Sequence, residues 1–178
     1  MTAPAPSSLD GLADRLGALA WISEALFGLQ GCWAATMTDD AAAEHLATAS
    51  RHKGWHVELF VDLLPDSPAL HGPDRIVGPP GWATALVLGA DAVGDPARLA
   101  VLYRALVPRL AGEVTCTRRA ATGPGDTAIA RALAFVAADL ADDLVAGSAL
   151  LDLALADDGA VRVAHEAVVG LDLAFANR

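Results

Sequence analysis

PDSPALHGPDRIVGPPGWATALVLGADAVG, residues Pro65 to Gly94, is the stretch on which the fold turns. Its Pro and Gly residues cannot sustain a long helix, yet it stands between two pairs of long helical stretches. Upstream, the first stretch runs from about Leu9 to Thr36 and the second from about Asp40 to Leu64, joined by a few residues around Met37 to Asp39. Downstream, Asp95-Pro96 is a cap followed by proline in the first turn. It opens a third stretch that ends near Ala121 at Thr122-Gly123-Pro124-Gly125. Asp126 caps a fourth, which runs to about Leu155. Short joints make antiparallel neighbours, so the order is hairpin, long crossover, hairpin. The expected fold is all-α: an antiparallel four-helix bundle over 9–155, with its crossover at 65–94. A flexible tail over 1–8 precedes it. A segment over 156–178 follows, in which Asp157-Asp158-Gly159 makes a turn and Ala160 to Phe175 forms a short fifth helix. Trp82 to Leu88 is apolar enough for a strand, but no second strand is present to pair with it.

The composition agrees with a helical core. Of 178 residues, 40 are Ala and 26 are Leu, both strong helix formers. Hydrophobic residues make up 54% and charged residues 19%, a balance that excludes disorder. Twelve basic against 22 acidic side chains give a net charge of −10. That charge repels phosphate, so nucleic acid is excluded as a partner. Lys53 is the sole lysine beside 11 arginines. Cys32 and Cys116 lie in apolar helical contexts without a metal-type spacing, and read as buried free thiols. Met1 to Asp10 has neither a basic cluster nor an apolar run, so no signal peptide is read there and a cytoplasmic location is expected.

Between Arg15 and Asp39 the first helix carries one charge, Glu24. A helix this apolar is buried on all sides or crosses a membrane. Glu24, Gln30, three glycines and the lack of flanking positive charge speak against a span. Burial in the bundle, with one face against a second subunit, is the expectation; Gly28 and Gly31 would permit close approach. A buried Glu must be paired or neutral. With the first turn near residue 39, residue 24 lies level with about residue 54. Lys53 and His56 fall there, on the second helix's apolar stripe of Leu46, Ala49, Lys53, His56, Phe60 and Leu63. Both are therefore expected to face Glu24.

His45, His52 and His56 cluster on the second helix, and His52 and His56 have the i, i+4 spacing that can clamp a metal. From Ala132 to Leu151 the only charges are Asp139, Asp142 and Asp143. Level with them on the third helix are Arg104 and Arg109. Two readings follow. In one, the acids form interhelical salt bridges, Arg109 to Asp139 and Arg104 to Asp142 or Asp143. In the other, Asp139 and Asp142 point inward toward Glu24 and His56. Pro108 should kink the third helix at that height.

The topology and these positions resemble the ferritin-like superfamily of di-iron carboxylate bundles over about residues 9 to 155. That family places one Glu in each of two helices and Glu-x-x-His in each of the other two. Glu24 stands at the first-helix Glu. Lys53-Gly54-Trp55-His56 stands where Glu-x-x-His would be, with Lys in place of the bridging Glu. Asp139-Leu140-Ala141-Asp142 stands at the second such motif, with Asp for both ligands. The third helix offers no acid at the right height. The resemblance therefore implies a degenerate di-iron motif, with Glu24, Lys53, His56, Asp139 and Asp142 as a polar core cluster. The residues left to hold iron, manganese or zinc are Glu24, His52, His56, Asp139 and Asp142. An ammonium at Lys53 supplies the charge a metal would bring and repels a second cation, so a core without cofactor is expected. Three functions fit: a non-redox bundle that binds a small molecule or a partner subunit, a metal-dependent oxygenase with a divergent mono- or dinuclear site, and a dimerising scaffold whose polar residues set helix register. Whether the chain is an enzyme is left open by its residues.

Overall fold

The computed structural model describes residues 8–65 and 70–176. The tail expected over 1–8 lies outside the described residues except for Ser8. The helices are α1 (Leu9–Ala34), α2 (Asp40–Asp62), α3 (Trp82–Ala90), α4 (Asp95–Ala100), α5 (Val107–Ala120), α6 (Thr127–Ala154) and α7 (Asp158–Ala176). Among the described residues no strand forms. The third stretch read from the sequence is α4 and α5 joined through a π-helical segment, Val101–Leu106.

The helices are bundle-like. α1 packs along α2, α2 on α6, α6 on α5, and α5 back on α1. Leu16, Leu19, Ile22 and Leu26 of α1 are all buried, as are Leu102, Leu106 and Leu110 on the third stretch. Each such side chain contributes about 1.5–3 kcal/mol through burial. The helix starts follow local chemistry. The Ser8 hydroxyl accepts from Gly11 N–H at 3.1 Å, and the Asp39 carboxylate accepts from Ala42 N–H at 2.7 Å. Asp126 departs from expectation: its carboxylate accepts from Gly123 N–H at 2.7 Å, closing the turn behind it instead of capping α6.

One helix of the second half, α4, locks the turn between α1 and α2. Asp95 Oδ2 accepts from Thr38 N–H (3.0 Å), Thr38 Oγ1–H (2.6 Å) and Asp39 N–H (3.0 Å). Arg98 donates to the Thr36 carbonyl and hydroxyl at 3.1 and 3.0 Å. The crossover lies against α1. Arg75 pairs with Asp14 and Asp10, and its backbone passes so close to Gly17 that any Cβ there would overlap the Arg75 carbonyl.

The run from Trp82 to Leu88, apolar enough for a strand but without a partner for one, is helical: Trp82, Ala85 and Gly89 share one buried face at helical spacing, with Trp82 edge-on to Phe175 of α7. Two expectations are corrected here. Cys32 and Cys116 are exposed free thiols, since each points away from the buried faces of its helix. The distortion expected at Pro108 lies one turn earlier, in the π segment, where Val107 N–H bonds the Leu102 carbonyl five residues back. Among the described residues no helix is long and apolar enough to cross a membrane.

Candidate functional site

The polar centre of the bundle is built on Asp143 of α6. Its Oδ2 accepts from Lys53 Nζ of α2 at 2.8 Å, with the two side chains 1% and 3% exposed. Its Oδ1 accepts from the Tyr103 hydroxyl at 3.1 Å. His45 Nε2 lies 3.2 Å from the same oxygen, off the direction of a well-formed hydrogen bond. Tyr103 comes from the π segment, and its ring lies directly over Gly147 of α6. A Cβ at 147 would overlap that ring, so this glycine makes the Tyr103–Asp143 contact sterically feasible.

Burial raises the Asp143 pKa, but the contact with His45 and the charge and hydrogen bond of Lys53 outweigh it and hold the carboxyl down at about 2. Burial, and then the Asp143 charge, push the Tyr103 hydroxyl far above its ordinary value. At neutral pH Asp143 is therefore a carboxylate and Tyr103 a protonated phenol, with Lys53 Nζ against the carboxylate.

One turn along α6, Asp139 Oδ2 lies 3.0 Å from His56 Nε2 of α2. A carboxylate only accepts, so Nε2 carries the proton and Nδ1 is left with its lone pair. Nδ1 is sealed in the core without a hydrogen bond. Burial lowers the His56 pKa, Lys53 adds to that, and the bond to Asp139 opposes it. From α1, Ser23 Oγ and both amide atoms of Gln30 are likewise buried without hydrogen bonds.

The structure brings together Lys53 and His56 with acids of α6, and leaves Glu24 apart. Glu24 is exposed. The register of α1 on α2 is close to that inferred, since Ser50 Oγ–H donates to the Phe27 carbonyl at 2.9 Å and the Phe27 ring lies against Gly54. The rotation of α1 differs: Ser23 and Leu26 face the core, which turns Glu24 about 100° away. Lys53 consequently pairs with Asp143, and His56 with Asp139. Asp142 is exposed as well, while its neighbour Asp143 points inward. The expected Arg109–Asp139 bridge is absent, because Arg109 donates to Asp172 of α7 at 2.7 Å and to the Ala105 carbonyl. Arg104 is exposed, and among the described residues it forms no ion pair with Asp142 or Asp143.

His52 stacks on Trp55, with ring centroids 5.6 Å apart. With His45, Thr48, Asp139, Asp142 and Asp143 it lines a cleft of about 210 Å³ between α2 and α6. Of the five residues that could have held iron, manganese or zinc, Glu24 faces away from this cleft, His56 is bonded to Asp139, and only His52, Asp139 and Asp142 border it. Among the described residues, no three His, Cys, Asp or Glu side chains are grouped as a metal ion requires. Tyr103, Gln30 and Ser23 were not singled out from the sequence. Tyr103 had a signal: it is the sole tyrosine, and a turn near residue 123 sets it level with Asp143.

Compared with protein families, characterised proteins and solved structures, the chain shows no match. The chemistry of the site rests on its own side chains.

Proposed function

We propose that this chain is a ferritin-like bundle in which an internal ion pair takes the place of a metal centre, and that it acts by binding a small molecule or a second subunit without redox chemistry. The observation that carries this reading is the Lys53–Asp143 contact of 2.8 Å at the height where a bridging carboxylate and metal would sit. The ammonium there already neutralises the inward carboxylate and would repel a cation placed beside it. The cleft between α2 and α6 supports a small polar ligand, since it is lined by imidazoles and carboxylates and opens to solvent. At about 210 Å³ it admits only a compact one. Elemental analysis of protein purified without chelator tests the reading. Metal-free protein with no dioxygen consumption is expected. Stoichiometric iron, manganese or zinc, lost in His56→Ala, would favour the oxygenase.

The second-subunit reading rests on the outer face of α1. Phe27 is 46% exposed there, beside Gly28, where a side chain would meet nothing. A dimer by light scattering at micromolar concentration, disrupted by Phe27→Glu, is the expected result. A monomer contradicts it.

A further inference from the structure

The largest cavity described lies away from the polar centre. It has a volume of about 380 Å³ and sits at the end of the bundle, between the α1–α2 turn, the start of α4 and the last turns of α6. That is the size range of small-molecule sites, which begins at about 300 Å³. Most of its wall is apolar, with Ala42, Leu99, Leu150 and Leu153 among the contributors, and Leu153 is 78% exposed. Among the described residues no basic side chain lines it.

Its polar groups are Thr38 and the carboxylates of Asp39 and Asp95. Asp95 is only 9% exposed. The three donors from Thr38 and Asp39 all go to Oδ2, and among the described residues none goes to Oδ1. Among the described residues no cation pairs with it. Arg98, one turn along, is committed to Thr36 and to the Ala92 carbonyl. A largely buried carboxylate with one oxygen left to solvent, bordering an apolar cavity, selects a ligand by charge. An anion would be repelled. A neutral apolar molecule would strip water from Oδ1 without replacing it, at a cost in free energy. A divalent cation would find too few oxygen ligands on walls of Ala and Leu.

We propose that this cavity binds a small organic amine, with its ammonium on Asp95 Oδ1 and its hydrocarbon body against Leu99, Leu150 and Leu153. No covalent step is involved. The site is separate from the Lys53–Asp143 centre and does not depend on what that centre does.

The test uses the full chain and 2-phenylethylamine, with 2-phenylethanol as the neutral analogue and Mg²⁺ as the inorganic cation. Titrations followed by amide ¹H–¹⁵N NMR should move the signals of Thr38, Asp39, Leu150 and Leu153. The amine should bind about tenfold or more tightly than the alcohol, the size of one charge-assisted hydrogen bond. Mg²⁺ should leave these signals in place. Asp95→Asn should abolish the preference for the amine. Because Asp95 also holds the α1–α2 turn, Leu153→Lys provides the second arm: on an exposed position it leaves the fold intact, sets a fixed ammonium at the mouth, and should weaken amine binding. Equal affinity for amine and alcohol would overturn the proposal. So would amine-induced shifts confined to other regions, or binding unchanged in Leu153→Lys.

Discussion

Replacing Lys53 by Met removes the ammonium and keeps most of the side-chain volume. In the native protein Lys53 Nζ is 2.8 Å from Asp143 Oδ2, and both groups are almost fully buried. The substitution leaves Asp143 with Tyr103 and an off-axis His45. Breaking a buried pair on one side costs about 3–5 kcal/mol, because the remaining charge is uncompensated. With a urea slope of about 2 kcal/mol/M, the unfolding midpoint should fall by about 1.5–2.5 M at pH 7. Without Lys53, burial raises the Asp143 pKa, so the carboxyl can take up a proton as the pH is lowered and the deficit should narrow toward pH 5. The double change Lys53→Met with Asp143→Leu removes both charges. It should recover most of the loss, as replacement of a buried pair by apolar groups commonly does. Urea titrations of the four proteins at pH 7 and pH 5 give the coupling energy directly. A single-variant loss under about 1 kcal/mol, or a double variant no better than the sum of the singles, would refute the ion pair as the organising contact of the core.

Gly147→Ala should destabilise by about 1–3 kcal/mol, since the new methyl overlaps the Tyr103 ring, and Tyr103→Ala in the same chain should remove that penalty; thermal unfolding of the three variants checks it. Wild-type stability should fall in two steps as the pH drops. The folded His56 pKa lies below its ordinary 6.5, so the unfolded chain binds that proton first and stability declines as pH falls through 6.5. Asp143 acts in the same direction at lower pH, its folded pKa being depressed from 3.8 to about 2; its contribution of about 2 kcal/mol is present above pH 4 and disappears toward pH 2. In His56→Phe the first step should be lost and the second kept, as read by urea midpoints across pH.

Much of the fold was written in the pattern of interruptions. Short joints at 37–39 and 122–125, and a Pro- and Gly-rich stretch between them, fix which helices are neighbours, and helix packing follows that order. Register was also legible, because it depends on counting residues from a turn: Phe27 against Gly54 and Tyr103 against Asp143 fall close to the expected levels. Rotation was not. α1 is apolar nearly all round, so hydrophobic periodicity does not choose between Ser23 and Glu24 as the inward residue. Packing chooses Ser23, and the lone acid turns to solvent. In α6 the adjacent Asp142 and Asp143 pose the same problem, which Tyr103 and Lys53 resolve in favour of Asp143. The crossover helix was obscured by shortness, since Trp82 to Leu88 is as long as a strand and rich enough in apolar residues for either form.

The claim that an ammonium occupies the place of a metal is tested most directly by a crystal structure of the protein grown with excess manganese and recorded at the manganese absorption edge. Lys53 Nζ bonded to Asp143 Oδ2, with no anomalous peak between α2 and α6, is the expected result. A peak at full occupancy, held by His56 and Asp139 with Lys53 swung away from Asp143, would contradict it.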